Sequence, residues 1–249
     1  MPPRDRYARI AETYDLMLPD QPARRKFFAL VFARNKVKSV LDCACGTGID
    51  LSWFSALGLE TTGSDLSEAM LRVARQRLKD EGRRVALHRA DFQDLPAVFK
   101  GQRFDAVVCL SNAINEAYID VHRALRSMKA VLNDRGIIIF DQGQTDASMK
   151  TPPPYSLMVN TRDFTRLFTM DYRRDIMLVH IYDVDHSFDR NDIVRHEFKI
   201  KIRLLDDWKR ILDRAGLRGE FYSWWDFRRY NKRTDQKLIV VARKAHRAR

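Results

Sequence analysis

Ser39-Val40-Leu41-Asp42-Cys43-Ala44-Cys45-Gly46-Thr47-Gly48 is a short apolar run that ends in an acid and breaks into a glycine turn. Ile49-Asp50-Leu51-Ser52-Trp53-Phe54-Ser55-Ala56-Leu57 follows with helical character. A buried strand, a glycine turn and a helix N-terminus in succession aim backbone N–H groups at an anionic part of a ligand. Leu59 to Asp65 reads as the next strand, and its closing acid stands where a ribose diol would be gripped. A dinucleotide site needs a third glycine, and Leu51 occupies that spacing. A phosphate-binding loop needs Lys-Ser/Thr after its last glycine, but Gly48 is followed by Ile49-Asp50. Asp42 would repel a pyrophosphate and suit an amino group. The expected ligand therefore carries a ribose, a carboxylate and a cationic amine in place of two phosphates.

Asp42-Cys43-Ala44-Cys45-Gly46-Thr47-Gly48 resembles motif I, acid-x-x-x-Gly-x-Gly, of the class I S-adenosylmethionine-dependent methyltransferases. Four further segments follow in that family's order: Asp65-Leu66-Ser67-Glu68-Ala69-Met70-Leu71, Ala90-Asp91-Phe92-Gln93-Asp94-Leu95, Phe104 to Leu110, and Gly136 to Phe140. The resemblance implies an α/β fold with a Rossmann-like, seven-stranded, mostly parallel sheet whose last strand is antiparallel. It implies S-adenosyl-L-methionine as cofactor and S-adenosyl-L-homocysteine as product. It also implies the residues that hold them. Amides around Ala44, Cys45, Gly46 and Gly48 would approach the methionine part, with Asp42 helping to hold it. Asp65 would accept from the ribose hydroxyls, and Leu66 and Met70 would flank the adenine. Asp91 would accept from the adenine amine while Phe92 gives its backbone N–H to the ring. Leu110 and Asn112 would line the floor beside the methyl group. Tyr7-Ala8-Arg9-Ile10-Ala11-Glu12-Thr13-Tyr14-Asp15 puts Tyr7, Ile10, Ala11 and Tyr14 on one helical face and is similar to the opening helix of several small-molecule methyltransferases, which makes Tyr14 a lid residue over the cofactor; residues 1–35 as a whole, broken at Pro19 and Pro22, read as a helical lid or as a helix capping the sheet.

Composition agrees with this reading. The chain has 249 residues, 45% of them hydrophobic, which suits one domain with an insertion or two small domains. No run reaches the ~18 apolar residues of a membrane span, and no secretory leader pattern starts the chain. Cys43, Cys45 and Cys109 fall on or beside expected buried strands, as core residues of a protein in the reducing cytoplasm would. Nothing clusters four ligands for a metal, so none is expected. The net charge is +12, concentrated locally at Arg24-Arg25-Lys26, at Arg228-Arg229 and in the tail from Arg243 to Arg249. Such runs are usually solvated faces or frayed ends, but the charge keeps a nucleic-acid partner as an alternative.

From 38 to 141 strands alternate with helices, which implies parallel pairing through right-handed crossovers. Ser67 is a fitting N-cap, one helix should run from about Ile119 to Leu132, and Asn133-Asp134-Arg135-Gly136 should stop it as a turn. After the stiff Thr151-Pro152-Pro153-Pro154 come three strand-like segments, Arg166 to Tyr172, Ile176 to Tyr182 and Val194 to Leu204, with Ser187 to Asp192 as a turn. The last alternates Phe198, Ile200, Ile202 and Leu204 with Lys199, Lys201 and Arg203, an antiparallel strand with one wet face. Residues 143–204 therefore form a small antiparallel β cap inserted after strand five, and residues 1–142 with 205–249 form the methyltransferase domain. Insertions there are similar to the caps of glycine/sarcosine and amino-sugar N-methyltransferases.

Methyl transfer from a sulfonium needs alignment and exclusion of water more than a nucleophile or metal. The expected acceptor is a small molecule with an amine; a metabolite hydroxyl, a nucleic acid, or a non-catalytic S-adenosylmethionine-binding role are the alternatives. Asn112 after strand four, and Tyr172, His180 and His196 in the cap, are the candidate catalytic groups. The run Phe221 to Phe227 would stack bases, form a buried strand or wall the pocket.

Overall fold

The computed structural model describes residues 5–18, 21–186 and 193–245. The break at Pro19, the turn at Ser187 to Asp192 and the end of the basic tail lie outside the described residues. β1 (Ser39–Asp42), β2 (Glu60–Asp65), β3 (Ala86–Arg89), β4 (Phe104–Cys109) and β5 (Leu132–Gln142) pair in parallel in the order β5-β4-β1-β2-β3. Then β6 (Tyr155–Asn160), β7 (Phe164–Arg173), β8 (Ile176–Asp185) and β9 (Ile193–Lys201) form a separate antiparallel sheet in that order. The first sheet is completed by β10 (Leu217–Ser223), the two-residue β11 (Arg228–Arg229) and β12 (Leu238–Lys244). β12 inserts between β5 and β10 and runs antiparallel to both, so the last long strand is the reversed one. The seven expected strands are present, with β11 as an added edge ribbon.

Among the described residues six helices cover the sheet: α1 (Pro22–Arg34), α2 (Ile49–Ala56), α3 (Glu68–Asp80), α4 (Leu95–Val98), α5 (Val121–Ala130) and α6 (Leu205–Arg214). Their ends follow local rules. Ser67 caps α3 by accepting the Met70 N–H at 3.1 Å, and Asp120 caps α5 by accepting from His122 and Arg123. On one face of the sheet Trp208, Leu212, Leu125 and Met128 pack over Phe140 and Val107. On the other, Phe27, Phe28 and Phe32 of α1 join Phe54 and Trp225 over Val108 and Ile139. Each such side chain contributes about 1.5–3 kcal/mol of burial. α1 is thus a core helix of the sheet, and only residues 5–18 of the expected lid lie over the strand ends. Their helical part, Ala11–Met17, is a 3-10 helix.

Two local expectations change. The four residues from Asn133 to Gly136 are not a free turn but part of β5. Pairing with β4 passes from Phe104↔Leu132 to Ala106↔Ile137 around them, and Asn133 Nδ2 donates to Asp105 Oδ1 at 2.7 Å. Trp224 to Phe227 leave the strand at Ser223, and Phe227 stacks on Phe27 at 4.6 Å while Trp225 is buried beside it. Trp225 and Phe227 are therefore core for α1, while Trp224 stands exposed. Arg24 of the first basic run is also buried, paired with Asp50. Among the described residues no helix is long and apolar enough to cross a membrane, and no cluster of His, Cys, Asp and Glu could hold a metal ion.

Candidate active site

The crossover leaving β1 goes to β2 on one side, while β4 sits on the other, so the loops at their carboxyl ends diverge and leave a crevice. A cavity of about 240 Å³ occupies it. Its floor is the glycine turn. Gly46 (φ +51°) and Gly48 (φ +81°) hold left-handed backbone that a side chain would strain. A Cβ at Gly46 would meet nothing within 4 Å, so the space above the turn is open to a ligand, whereas one at Gly48 would press on Ala74 Cβ at 3.1 Å. Leu51, at the spacing of the missing third glycine, is fully buried. The close helix–strand approach is made from the other side: a Cβ on Gly63 of β2 would stand 2.5 Å from Leu51 Cδ1.

Asp65 closes β2 and clamps this turn. Its Oδ2 accepts the Gly46 N–H at 2.9 Å and its Oδ1 the Ser67 N–H at 2.8 Å. Burial pushes its carboxyl above the ordinary range, and the two backbone bonds oppose that rise. Asp91, after β3, accepts from Gln93 N–H at 2.8 Å and also faces the cavity. Tyr14, Ala44, Cys45, Gly46, Asp65, Leu66, Met70, Asp91, Phe92 and Leu110 all line one cavity. Asp42 and Gly48 do not. Asp42 is 1% exposed and lies under the turn, where its Oδ1 accepts the Ala44 N–H at 3.2 Å. Burial, with Asp50 nearby, pushes its carboxyl well up.

The four candidate catalytic residues stand elsewhere. Asn112 (φ +67°) is flanked by the lining residues Ser111 and Ala113, but its own side chain turns to Asn115, whose Nδ2 donates to Asn112 Oδ1 at 3.0 Å. Tyr172 donates its hydroxyl to Pro153 O at 3.0 Å. His180 falls on the face of β8 opposite Met177, Val179 and Ile181, with Glu197 3.7 Å away. His196 is on the inner face but opposes Ile181, and its Nε2 meets Asp183 Oδ2 at 3.5 Å. The period of two decides this: side chains alternate faces, and the inner apolar set is spent on the lid. Met177, Val179, Ile181, Phe198 and Ile200 pack on Ile10, Ala11, Ala69 and Met70.

Lid residues 5–18 were legible as a helix-spaced pattern, but their fastening was not. Asp5 caps α3 a second time, its Oδ2 accepting the Ala69 N–H at 3.3 Å and the Ser67 Oγ hydroxyl at 2.9 Å. Asp15 binds Thr47 and Arg77, and Arg77 Nε donates to Thr47 O at 3.0 Å. Arg166 of β7, fully buried, donates to Thr13 O at 2.9 Å and to Thr13 Oγ1 at 2.7 Å. The lid thus joins turn, helix and cap. It brings Tyr7 and Arg6 to the cavity, and the loop after β4 brings Glu116 and Tyr118. Tyr7 was visible on the Tyr14 face of the pattern; Arg6 and Tyr118 carried no local signal, and Glu116 only its place in the segment after strand four.

A family model described as "Methyltransferase domain" matches residues 40–136. The demethylmenaquinone methyltransferase of Thermotoga maritima is 34% identical over 164 residues, 62% of this chain and 68% of that protein. The dTDP-3-amino-3,4,6-trideoxy-alpha-D-glucopyranose N,N-dimethyltransferase of Streptomyces venezuelae is 32% identical over 53% of this chain and 56% of its own. The chain spans about half the length of most of the curated relatives it matches. In fold it superposes on an S-adenosylmethionine-dependent methyltransferase from Clostridium acetobutylicum with a TM-score of 0.83 and 17% identity, over 96% of this chain and 99% of that one. On sequence and architecture together, the chain belongs to the class I S-adenosylmethionine-dependent methyltransferases.

Proposed function

We propose that this chain transfers a methyl group from S-adenosyl-L-methionine to an amine nitrogen of a small molecule. The sign of the cavity carries the reading. The protein has a net charge of +12, yet the cavity wall bears Asp5, Asp50, Asp65, Asp91 and Glu116 against Arg6 and Arg89. An acidic crevice in a basic protein favours cationic ligands and disfavours phosphates. Bound there, the cofactor supplies an electrophilic methyl group on a sulfonium. Asp65 takes the ribose hydroxyls, the open space above Gly46 takes the methionine part, Asp91 and Phe92 take the adenine edge, and Leu66 and Met70 take its faces. Tyr7 and Tyr14, edge to face at 6.1 Å, shut water out. Residues 143–204 act as the cap that admits the acceptor, on the body made by 1–142 and 205–249. The amino-sugar relative supports nitrogen as the target. The three cysteines, all buried and unpaired, support a cytoplasmic setting.

Calorimetric titration with S-adenosyl-L-methionine, followed by transfer of labelled methyl to a metabolite extract, tests this. Saturable binding and label on small amines are expected. Absence of binding would remove the cofactor assignment, and label confined to hydroxyls or to nucleic acid would remove the amine.

A further inference from the structure

Glu116 ends the 3-10 turn Ala113–Asn115 that follows β4. The cap holds its backbone: Glu116 bridges Ile200 of β9, and the Ala117 N–H donates to Lys199 O at 2.7 Å. Its side chain points into the cavity and the residue is 5% exposed. The Tyr7 hydroxyl donates to Oε1 at 2.6 Å. Oε2 is buried and accepts no hydrogen bond among the described residues. Arg6 Nη1 stands 3.8 Å from it, beyond hydrogen-bond distance, with its guanidinium stacked over Tyr118 at 4.3 Å. A buried carboxylate oxygen without a donor is costly, so this arrangement awaits a donor.

We propose that Glu116 Oε2 receives an N–H of the protonated acceptor amine and takes its proton before methyl transfer. The proposal rests on the methyl-transfer reading above. The N–H bond breaks, the proton passes to Oε2 and the nitrogen keeps the electron pair. That pair forms the new N–C bond as the C–S bond breaks, its electrons remaining on sulfur, and the carboxylic acid returns its proton to water. Tyr7 holds Oε1, so Oε2 is presented in one orientation, and the rings of Tyr7, Tyr14 and Tyr118 offer the cation aromatic neighbours. The groups facing the carboxyl are Arg6 and Tyr7 of the lid, Tyr118 of its own loop and Asp65 of β2. Burial and Asp65 push it above the ordinary range, against Tyr7, Arg6 and Tyr118, which makes it a better base.

Sinefungin carries an amine where the cofactor has its methyl sulfonium; S-adenosyl-L-homocysteine has neither. Calorimetry of both ligands against the wild type and Glu116→Gln gives a readout independent of turnover, with thermal unfolding to check that the variant folds. The wild type should prefer sinefungin by about tenfold, the worth of a charge-assisted hydrogen bond. Glu116→Gln should lose most of that preference and keep its S-adenosyl-L-homocysteine affinity within about twofold. The wild-type preference should fade as pH falls and the carboxyl protonates, and the variant's should not. An unchanged sinefungin ratio in Glu116→Gln overturns the role of Glu116 alone. Failure of both ligands to bind the wild type overturns the methyl-transfer reading beneath it.

Discussion

Replacing Arg166 by Met tests whether the lid is latched to the cap by one buried cation. Arg166 donates to Asp183 through Nε and Nη2, both at 2.6 Å, and to Thr13 through Nη1 and Nη2. Burial disfavours the Asp183 charge, but the two bonds from Arg166, with His196 beside the carboxyl, hold it below the ordinary range. Met fills much of the same volume and makes none of these bonds. Asp183, 7% exposed, would keep only His196. Removing one member of a buried pair costs about 3–5 kcal/mol, and the two lost Thr13 bonds about 1 kcal/mol each. Because these contributions overlap, we expect about 4 kcal/mol in urea unfolding, a large share of the 5–15 kcal/mol of a typical domain. Amide exchange in Tyr7 to Leu18 should accelerate, since the latch ends at Thr13. Adding Asp183→Leu should return most of the loss, because an apolar pair replaces an orphaned charge. A cost below about 1 kcal/mol for Arg166→Met, or a double variant no more stable than the single, would refute the latch.

Asp65→Ala should weaken S-adenosyl-L-methionine binding by about 1.5–3 kcal/mol, the worth of hydrogen bonds to a charged acceptor; equilibrium dialysis showing an unchanged Kd would reject the ribose role. Gly63→Ala should cost about 1–3 kcal/mol of stability, because its Cβ would press Leu51 Cδ1 and stand 2.7 Å from Leu87 Cδ2; a melting temperature equal to wild type would show that the packing yields. Asp42→Asn should raise the melting temperature more at pH 8 than at pH 5. The folded state holds the Asp42 proton more tightly than the unfolded chain, so the ionised carboxyl costs stability increasingly as pH rises through its raised value. Identical shifts at the two pH values would contradict that sign.

The glycine turn, the acids closing β1 and β2, the alternation of strands and helices and the Ser67 cap were readable along the chain. Each rests on residues a few positions apart: Ser67 accepts from Met70, and Asp65 lies 19 residues from the Gly46 amide it clamps, one strand–helix unit away. The wet and dry faces of β9 were equally plain, since alternation is a property of the strand itself. What alternation left open was which polar residues of the inner face reach the cavity, and there the lid intervenes: it covers Met177, Val179 and Ile181 and leaves His196 at Asp183. The place of Asn133 to Gly136 within β5 depends on the register with β4, and Asp42 lies under the turn because Asp65 holds the turn above it. Most of all, the pairing of Tyr7 with Glu116 spans 109 residues and that of Thr13 with Arg166 spans 153. No spacing rule reaches so far. Such contacts exist only once packing has brought lid, β4 loop and cap to the same strand ends, and that is why the cavity wall around the glycine turn and Asp65 was legible in the chain while the wall made by Arg6, Glu116 and Tyr118 belonged to the fold.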